Sequence, residues 1–209
     1  MERHVLDSLA LLPVLDTCLQ QQQHEQQRAC SCGNSSMPSN SYSSVVDVGT
    51  GAGLPGMVLA IARPSWHVTL LDSLHKRCRF LEQAAAVAEL ANVRVEWARA
   101  EDAGQSPALR ASFDLAVARA VAEARLLAEL CLPLVRVGGH WVAAKGPAPQ
   151  TEVATASNAL GQLGGGPAEV WTVDSWSADG QRTAVVVRKV RDTPTCFPRK
   201  PGVPAKKPL

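Results

Sequence analysis

From residue 45 onward, short β-branched runs alternate with apolar patterns of helical period, and this alternation limits the possible folds more than any other feature. The alternation predicts strands at residues 45–48, 67–72, 93–97, 113–117 and 140–144, with helices between them. Such repeats form a parallel sheet that helices cover on both faces. Two later runs, near 168–174 and 183–189, are expected to pair antiparallel. We therefore predict an α/β fold with a mostly parallel seven-stranded sheet.

Composition agrees with one domain of this kind. The chain has 209 residues, of which 46% are hydrophobic and 4% aromatic, so the core must consist mainly of small aliphatic side chains. No run approaches the roughly 18 consecutive apolar residues of a membrane span, and no secretory signal is visible. The six cysteines are scattered, and the C-x-C pair at residues 30–32 has no second pair. We therefore expect no membrane association, no metal site and a reducing compartment.

The ends of the chain differ from its middle. Residues 2–18 predict a helix that Pro13 ends or kinks, and residues 19–44 are rich in Gln, Ser and Asn, which predicts a disordered low-complexity insert. The α/β domain is expected at 45–190. A basic, proline-rich tail follows at 191–209, and its charge suggests either a polyanionic partner or a solvated end.

The strongest motif is DVGTGAGLPG at residues 47–56, which we call the glycine loop. It lies between a predicted strand and a predicted helix, where glycines allow a tight turn and the close approach of a ligand. Asp72 ends the next strand, 25 residues after Asp47, where an acid can accept hydrogen bonds from ribose hydroxyls. The pair of signals indicates a cofactor that contains adenosine, rather than a turn that is merely tight.

Two cofactors compete for this motif. The G-x-G-x-x-G at 51–56 matches the dinucleotide fingerprint, so an NAD(P)-dependent oxidoreductase stays an alternative. The longer D-x-G-x-G-x-G pattern from Asp47 favours S-adenosylmethionine, whose cationic amino-acid end an acid can anchor. Ala100 and Glu101 follow the third strand, where adenine would bind. The single tyrosine, Tyr42, lies in the insert, which excludes the Tyr-x-x-x-Lys pair of short-chain dehydrogenases.

The glycine loop, together with TLLDSLxKRxRFL at 69–81, resembles the RsmG (GidB) family. The RHVLDSL segment at 3–9, Arg119-Ala120 and Lys145-Gly146 are also similar to that family, and the resemblance covers residues 2–18 and 45 to the end. It implies the class I (Rossmann-like) methyltransferase fold and S-adenosylmethionine-dependent methylation of guanine N7 in small-subunit ribosomal RNA. It also implies that residues 1–18 are the remnant of a longer helical region, so we expect that the chain is either a fragment or an incomplete gene model.

The resemblance assigns roles to individual residues. It implies that the cofactor is bound by Asp47, Gly49, Gly51, Gly53, Leu54, Asp72, Ala100, Glu101 and Arg119. Arg119 is the catalytic residue in the sense of positioning, because guanine N7 is an unprotonated acceptor and no general base is expected. The candidates for RNA binding are Arg3, His4, Lys76, Arg77, Arg99, Lys145, Arg199, Lys200, Lys206 and Lys207.

Structural explanations compete with these roles. Arg119 could pair with Glu123 at i+4, Leu54 could cap the sheet, Glu101 could begin a helix, and the basic residues could form a solvated face. An inactive RNA-binding relic is a further alternative. We expect a monomer that acts on small-subunit rRNA. The ending resembles Gram-positive and plastid members, so we expect a plastid protein without its transit peptide, or a cytoplasmic one if the source is bacterial.

Overall fold

A computed structural model describes residues 2–30, 42–119 and 122–209, which form a single seven-stranded sheet with helices packed against it. The strands are β1 (Ser43–Val48), β2 (Trp66–Asp72), β3 (Val93–Trp97), β4 (Phe113–Ala118), β5 (Val135–Lys145), β6 (Gly165–Ser177) and β7 (Gly180–Lys189). Their order is β3-β2-β1-β4-β5-β7-β6. β1 to β5 pair in parallel, and β7 is antiparallel to both β5 and β6. The predicted sheet is confirmed.

Helices pack on both faces of this sheet, and the central strands β1, β2 and β4 are therefore buried on both sides. They are α1 (Glu2–Leu9), α2 (Leu12–Cys30), α3 (Gly56–Ala62), α4 (His75–Val87), α5 (Ala100–Gln105), α6 (Ala124–Cys131), α7 (Gln150–Leu163) and α8 (Val203–Lys206). Val46 and Ala116 face a core with α6 and α7, whereas Val45 and Val117 face a core with α2 and α3. In the described ranges, no helix combines the length and the apolar character that crossing a membrane requires.

The expectation of a disordered insert at 19–44 is wrong for residues 19–30, which continue α2, and for Ser43 and Ser44, which begin β1. The buried positions Leu15, Cys18 and Gln22 follow one another at helical spacing, so the Gln-rich sequence presents one stripe to the core. The Gln22 amide donates a hydrogen bond of 3.0 Å to Oδ1 of Asp114, which satisfies both buried groups. Residues 31–41 lie outside the described residues, and their disorder stays a prediction.

Residues 191–209 fold back onto the domain, and we call them the C-terminal strap. The Arg110 guanidinium donates hydrogen bonds to the carbonyl oxygens of Thr193, Pro194 and Phe197 at 2.6, 3.1 and 2.7 Å. Arg199 forms a bidentate pair with Glu129 of α6, a residue that is only 1% exposed. A solvated tail is therefore the wrong description, because buried groups of the domain depend on the strap for their partners.

Candidate active site

The glycine loop lies at the carboxyl end of β1, where the sheet order changes direction. β2 lies on one side of β1 and β4 on the other, and a crevice opens at such a point in parallel sheets. The Leu71 carbonyl of β2 accepts hydrogen bonds from the amides of Gly49 and Thr50, at 2.9 and 3.2 Å. These bonds extend the β1–β2 ladder past the end of β1 and fix the start of the loop.

The glycines of the loop have two different functions. Gly49 and Gly51 have φ values of +71° and +61°, and a Cβ at Gly49 would meet no atom within 4 Å. At Gly51 the nearest atom would be the Gly49 carbonyl oxygen at 3.9 Å. By contrast, a Cβ at Gly53 would lie 2.6 Å from Cγ of Met57. Gly49 and Gly51 thus leave open space for a ligand, whereas Gly53 is required by the packing of α3.

Asp47 is buried beneath the loop with one carboxylate oxygen free. Its Oδ2 accepts hydrogen bonds from the Thr50 hydroxyl at 2.6 Å and the Gly56 amide at 2.8 Å. Its Oδ1 is buried and has no hydrogen-bond partner in the part of the chain that the structure describes. Burial raises the pKa of Asp47 to about 6, while the bonds from Thr50 and Gly56 and the charge of Arg119 counteract this rise. A buried, unpartnered carboxylate oxygen suits a cationic ligand group.

Asp72 ends β2 beside the loop, as the sequence predicts. Its Oδ2 accepts a hydrogen bond of 3.0 Å from the Gly51 amide, and its Oδ1 accepts one of 2.8 Å from the Leu74 amide. The Arg77 guanidinium lies 3.5 Å from Oδ2. The carboxylate is thereby oriented next to the open side of Gly51, where ribose hydroxyls of a ligand could reach it.

The Ala100-Glu101 pair begins α5, so the structural explanation for Glu101 also holds. Ala100 packs against the core, and Glu101 Oε1 accepts a hydrogen bond of 3.0 Å from the Gly202 amide of the strap. Its expected contact with the adenosine end of the cofactor therefore stays a prediction, and one of its oxygens already has a partner.

Arg119 follows β4 directly, at the same edge of the sheet as the glycine loop, because β4 pairs in parallel with β1. Its Nη1 donates a hydrogen bond of 3.1 Å to the His4 carbonyl of α1, and its charge acts on Asp47. The alternative pairing of Arg119 with Glu123 is wrong, because these two described residues form no ion pair, and Glu123 pairs instead with Arg125 at 2.9 Å. The structure thus brings together the loop, the two predicted acids and Arg119.

Two of the candidates for RNA binding have partners within the chain and little exposed surface, so the structure gives their predicted phosphate contacts no support. Lys145 donates hydrogen bonds to the Ala122 carbonyl at 2.8 Å and to Glu152 at 2.6 Å, and its side chain is 9% exposed. Arg199 is bound to Glu129. Arg199 compensates a buried acid, Glu129, which would be costly without a cation, whereas Lys145 pairs with Glu152, whose side chain is 30% exposed.

The other basic candidates lie at the surface. Arg3 is exposed but donates to the Trp176 carbonyl at 2.8 Å, and Arg77 is exposed beside Asp72. The remaining candidates are exposed, and they are His4, Lys76, Arg99, Lys200, Lys206 and Lys207.

Sequence reasoning missed two features near the site. Trp97 at the end of β3 is 60% exposed, pairs in register with Asp72 and stands against the His75 ring at a centroid distance of 4.4 Å. Its signal was an aromatic residue at the end of a strand in a chain with few aromatics. Asp7 of α1 is buried against Ser175 and Arg182, and a helix of mixed polarity gave no sign of this.

Solved structures with the same fold are methyltransferases. A mutant of the 16S rRNA (adenine(1408)-N(1))-methyltransferase from Catenulisporales acidiphilia superposes with a TM-score of 0.59 at 20% identity, over 73% of this chain and 87% of that one. A SAM-dependent O-methyltransferase from Thermotoga maritima gives a TM-score of 0.54 at 16% identity, over 73% and 61% of the two chains. The predicted class I methyltransferase fold is confirmed.

Relatives by sequence share one description. Ribosomal RNA small subunit methyltransferase G of Symbiobacterium thermophilum is 51% identical over 170 residues, which are 79% of this chain and 69% of that protein. The protein of the same name from Alkaliphilus metalliredigens is 38% identical over 209 residues, which are 100% of this chain and 78% of that protein. These matches confirm the predicted methyltransferase class and its cofactor, and they contradict the oxidoreductase alternative. The sequence model described as "GidB: rRNA small subunit methyltransferase G" matches residues 30–175, and the chain belongs to this family.

Proposed function

We propose that the protein transfers the methyl group of S-adenosylmethionine to N7 of a guanine in small-subunit ribosomal RNA. The observation that carries this proposal is the open side of Gly49 and Gly51, in a loop that is hydrogen-bonded to the buried carboxylates of Asp47 and Asp72. Arg119 follows the adjacent strand, β4, at the same edge of the sheet. Family membership supports the substrate class.

The residues present fit this cofactor. Gly49 and Gly51 admit a ligand against the main chain, because no side chain fills the space. Asp47 Oδ1 offers a buried acceptor to a cationic amino group, and Asp72 offers its carboxylate to ribose hydroxyls. The bound cofactor supplies an electrophilic methyl group on a sulfonium. The chain's contribution is to hold the two reactants in line and exclude water between them.

The residue at the end of β4 agrees with guanine N7 as the acceptor. N7 carries a lone pair and no proton, so methylation at this atom requires no general base. Arg119 cannot accept a proton, but its guanidinium can donate two parallel hydrogen bonds to a phosphate or to the edge of a base. We therefore assign to Arg119 the orientation of the acceptor guanine or of the phosphate beside it.

Exposed cations near the adenosine side of the site are proposed to contact RNA phosphates. Lys200, Lys206 and Lys207 lie on the strap, which the Glu101–Gly202 hydrogen bond holds against the start of α5, next to Arg99. Phosphate contacts release counterions, so they make binding depend strongly on salt and little on sequence. The backbone that carries these lysines is thus held on the domain, next to the predicted site.

The test is a methyl-transfer assay on small-subunit RNA from a strain that lacks this modification. The product is located by cleavage chemistry specific for N7-methylguanine, and RNA from the modified parent strain is the matched control. We expect one site of cleavage in the first RNA and no added methyl group in the second. RNA binding without transfer would refute the proposal and favour the inactive relic.

The compartment and the assembly state stay predictions. The relatives named above are bacterial, which agrees with the cytoplasmic alternative, and the plastid location has no support from them. We propose a monomer. Size-exclusion chromatography with light scattering tests that proposal, and a stable dimer would contradict it.

A further inference from the structure

Helix α1 is held on the protein by polar side chains instead of an apolar face. Of its eight residues, all of them described, Asp7 and Ser8 are buried, whereas Leu6 and Leu9 are exposed. A helix of this length is unstable by itself in water, so its position depends on tertiary contacts. The buried Asp7 supplies part of those contacts, together with Arg3 and the packing of α1 against α3.

One set of contacts joins α1 to the β6–β7 hairpin. Asp7 Oδ1 accepts a hydrogen bond of 2.5 Å from the Ser175 hydroxyl, and Oδ2 lies 3.4 Å from the Arg182 guanidinium. The Arg3 guanidinium donates to the Trp176 carbonyl of the same hairpin. The Asp7 side chain is 5% exposed, so removal of these partners would leave a charge without compensation.

The opposite set of contacts joins α1 to Arg119. The His4 carbonyl accepts hydrogen bonds from Nη1 of Arg119 at 3.1 Å and from the Ser8 hydroxyl at 2.8 Å. The Arg119 guanidinium is also close enough to Asp47 to attract its charge. The main chain of α1 therefore links the hairpin to the cation that faces the glycine loop.

We propose that Asp7 is a positioning residue for Arg119. With Ser175 and Arg182, it anchors α1 so that the His4 carbonyl fixes the Arg119 guanidinium on the acceptor side of the site. Asp7 acts through the helix and touches no reacting atom. This inference rests on the proposed function, since it gives α1 a role in the orientation of the RNA acceptor.

The experiment compares Asp7→Ala and Asp7→Asn in the full chain. Asp7→Ala should lower kcat for methyl transfer by about 10- to 100-fold, because small displacements of a positioning group have large effects on rate. The Kd of S-adenosylmethionine, measured by calorimetry, should change by less than about twofold. Asp7→Asn keeps an acceptor for Ser175 but loses the charge that faces Arg182. Its kcat should therefore lie between the kcat of the wild type and that of Asp7→Ala. In an Arg119→Ala background, Asp7→Ala should cause no further loss.

Asp16→Ala is the matched control. Asp16 of α2 pairs with Arg63 through two hydrogen bonds, of 3.0 and 2.5 Å, so this variant also removes a carboxylate–arginine pair from an N-terminal helix. It should leave kcat unchanged. Amide hydrogen exchange in α1 supplies a readout that needs no RNA, and it should accelerate in Asp7→Asn and stay unchanged in Asp16→Ala.

Any of three results would overturn the inference. The first is an unchanged kcat in Asp7→Asn, and the second is that the losses of kcat caused by Asp7→Ala and Arg119→Ala add up in the double variant. The third is unchanged amide hydrogen exchange in α1 of Asp7→Asn. A wild-type protein that leaves the RNA unmethylated would refute the proposed function instead. The exchange measurement would still decide whether Asp7 anchors α1.

Discussion

Arg199→Ala should destabilise the protein far more than the loss of a surface cation. Glu129 is 1% exposed, and it accepts hydrogen bonds from Nε of Arg199 at 2.9 Å and from Nη2 at 2.6 Å. Removal of one partner of a buried pair costs roughly 3–5 kcal/mol, because the other charge stays buried and unpaired. The Arg199 side chain is 25% exposed, so we expect a value near the lower limit, about 3 kcal/mol. The melting temperature should fall by about 6–12 °C.

Urea denaturation of three variants tests this reasoning. Arg188→Ala is the control, because Arg188 also pairs with a glutamate, Glu25, but both side chains are about half exposed. That variant should lose less than about 1 kcal/mol. A double variant, Glu129→Gln with Arg199→Ala, should recover part of the stability, because the buried charge is gone and the amide oxygen can still accept from the residue 199 amide. Equal losses of unfolding free energy in Arg199→Ala and Arg188→Ala would refute the importance of the buried Arg199–Glu129 pair.

Three further predictions concern the cofactor and are measured by titration calorimetry. Asp72→Ala should weaken S-adenosylmethionine by roughly 1–3 kcal/mol, since ribose hydroxyls would lose a partner in a buried site. Gly51→Val should abolish binding, because a β-branched side chain is strained at a φ of +61° and would enter the ligand's space. Affinity should rise between pH 5 and pH 7, because the Asp47 carboxylate, with its pKa of about 6, must be ionised to bind a cation, and this rise should be absent in Asp47→Asn.

Controls separate these effects from general damage. Asp102→Ala removes an exposed acid of α5 and should leave affinity unchanged. Gly138→Val introduces the same side chain at a φ of +88°, also with open space around the Cβ, but in β5, away from the loop. Equal losses of cofactor affinity in Gly138→Val and Gly51→Val would show that backbone strain alone explains the loss of binding in Gly51→Val. An affinity that does not change with pH in the wild type would contradict the pairing of Asp47 with a cation.

The central part of the site could be predicted from sequence because its signals are local. The glycine loop, Asp47 and Asp72 lie at the ends of consecutive strands, and parallel strands place those ends at one edge of the sheet. Arg119 follows the same rule at the end of β4. The alternation of strands and helices was therefore sufficient to predict both the fold and the residues on the cofactor side of the site.

Contacts between distant segments could not be predicted from local signals. Lys145 and Arg199 are basic residues of the kind that bind RNA phosphates. In the fold, however, Lys145 pairs with Glu152 and Arg199 pairs with Glu129. Hydrophobic character alone also does not determine burial in α4, because Phe80 is 55% exposed in the structure. The burial and the ion pairs of these side chains depend on which residues the tertiary structure places next to them, and amino-acid type alone does not determine this.

The order of strands around β1 also affects how fast the site assembles. Val46 of β1 pairs with Thr69 of β2, only 23 residues later, but with Ala116 of β4 after 70 residues. Loop-closure entropy opposes the longer pairing until its contacts form, so the β1–β2 unit should assemble first. In a refolding chain, the glycine loop and Asp72 would then be in place before β4 pairs with β1 and positions Arg119. Stopped-flow refolding with a fluorescent cofactor analogue should show binding before activity returns, and simultaneous recovery would contradict this order.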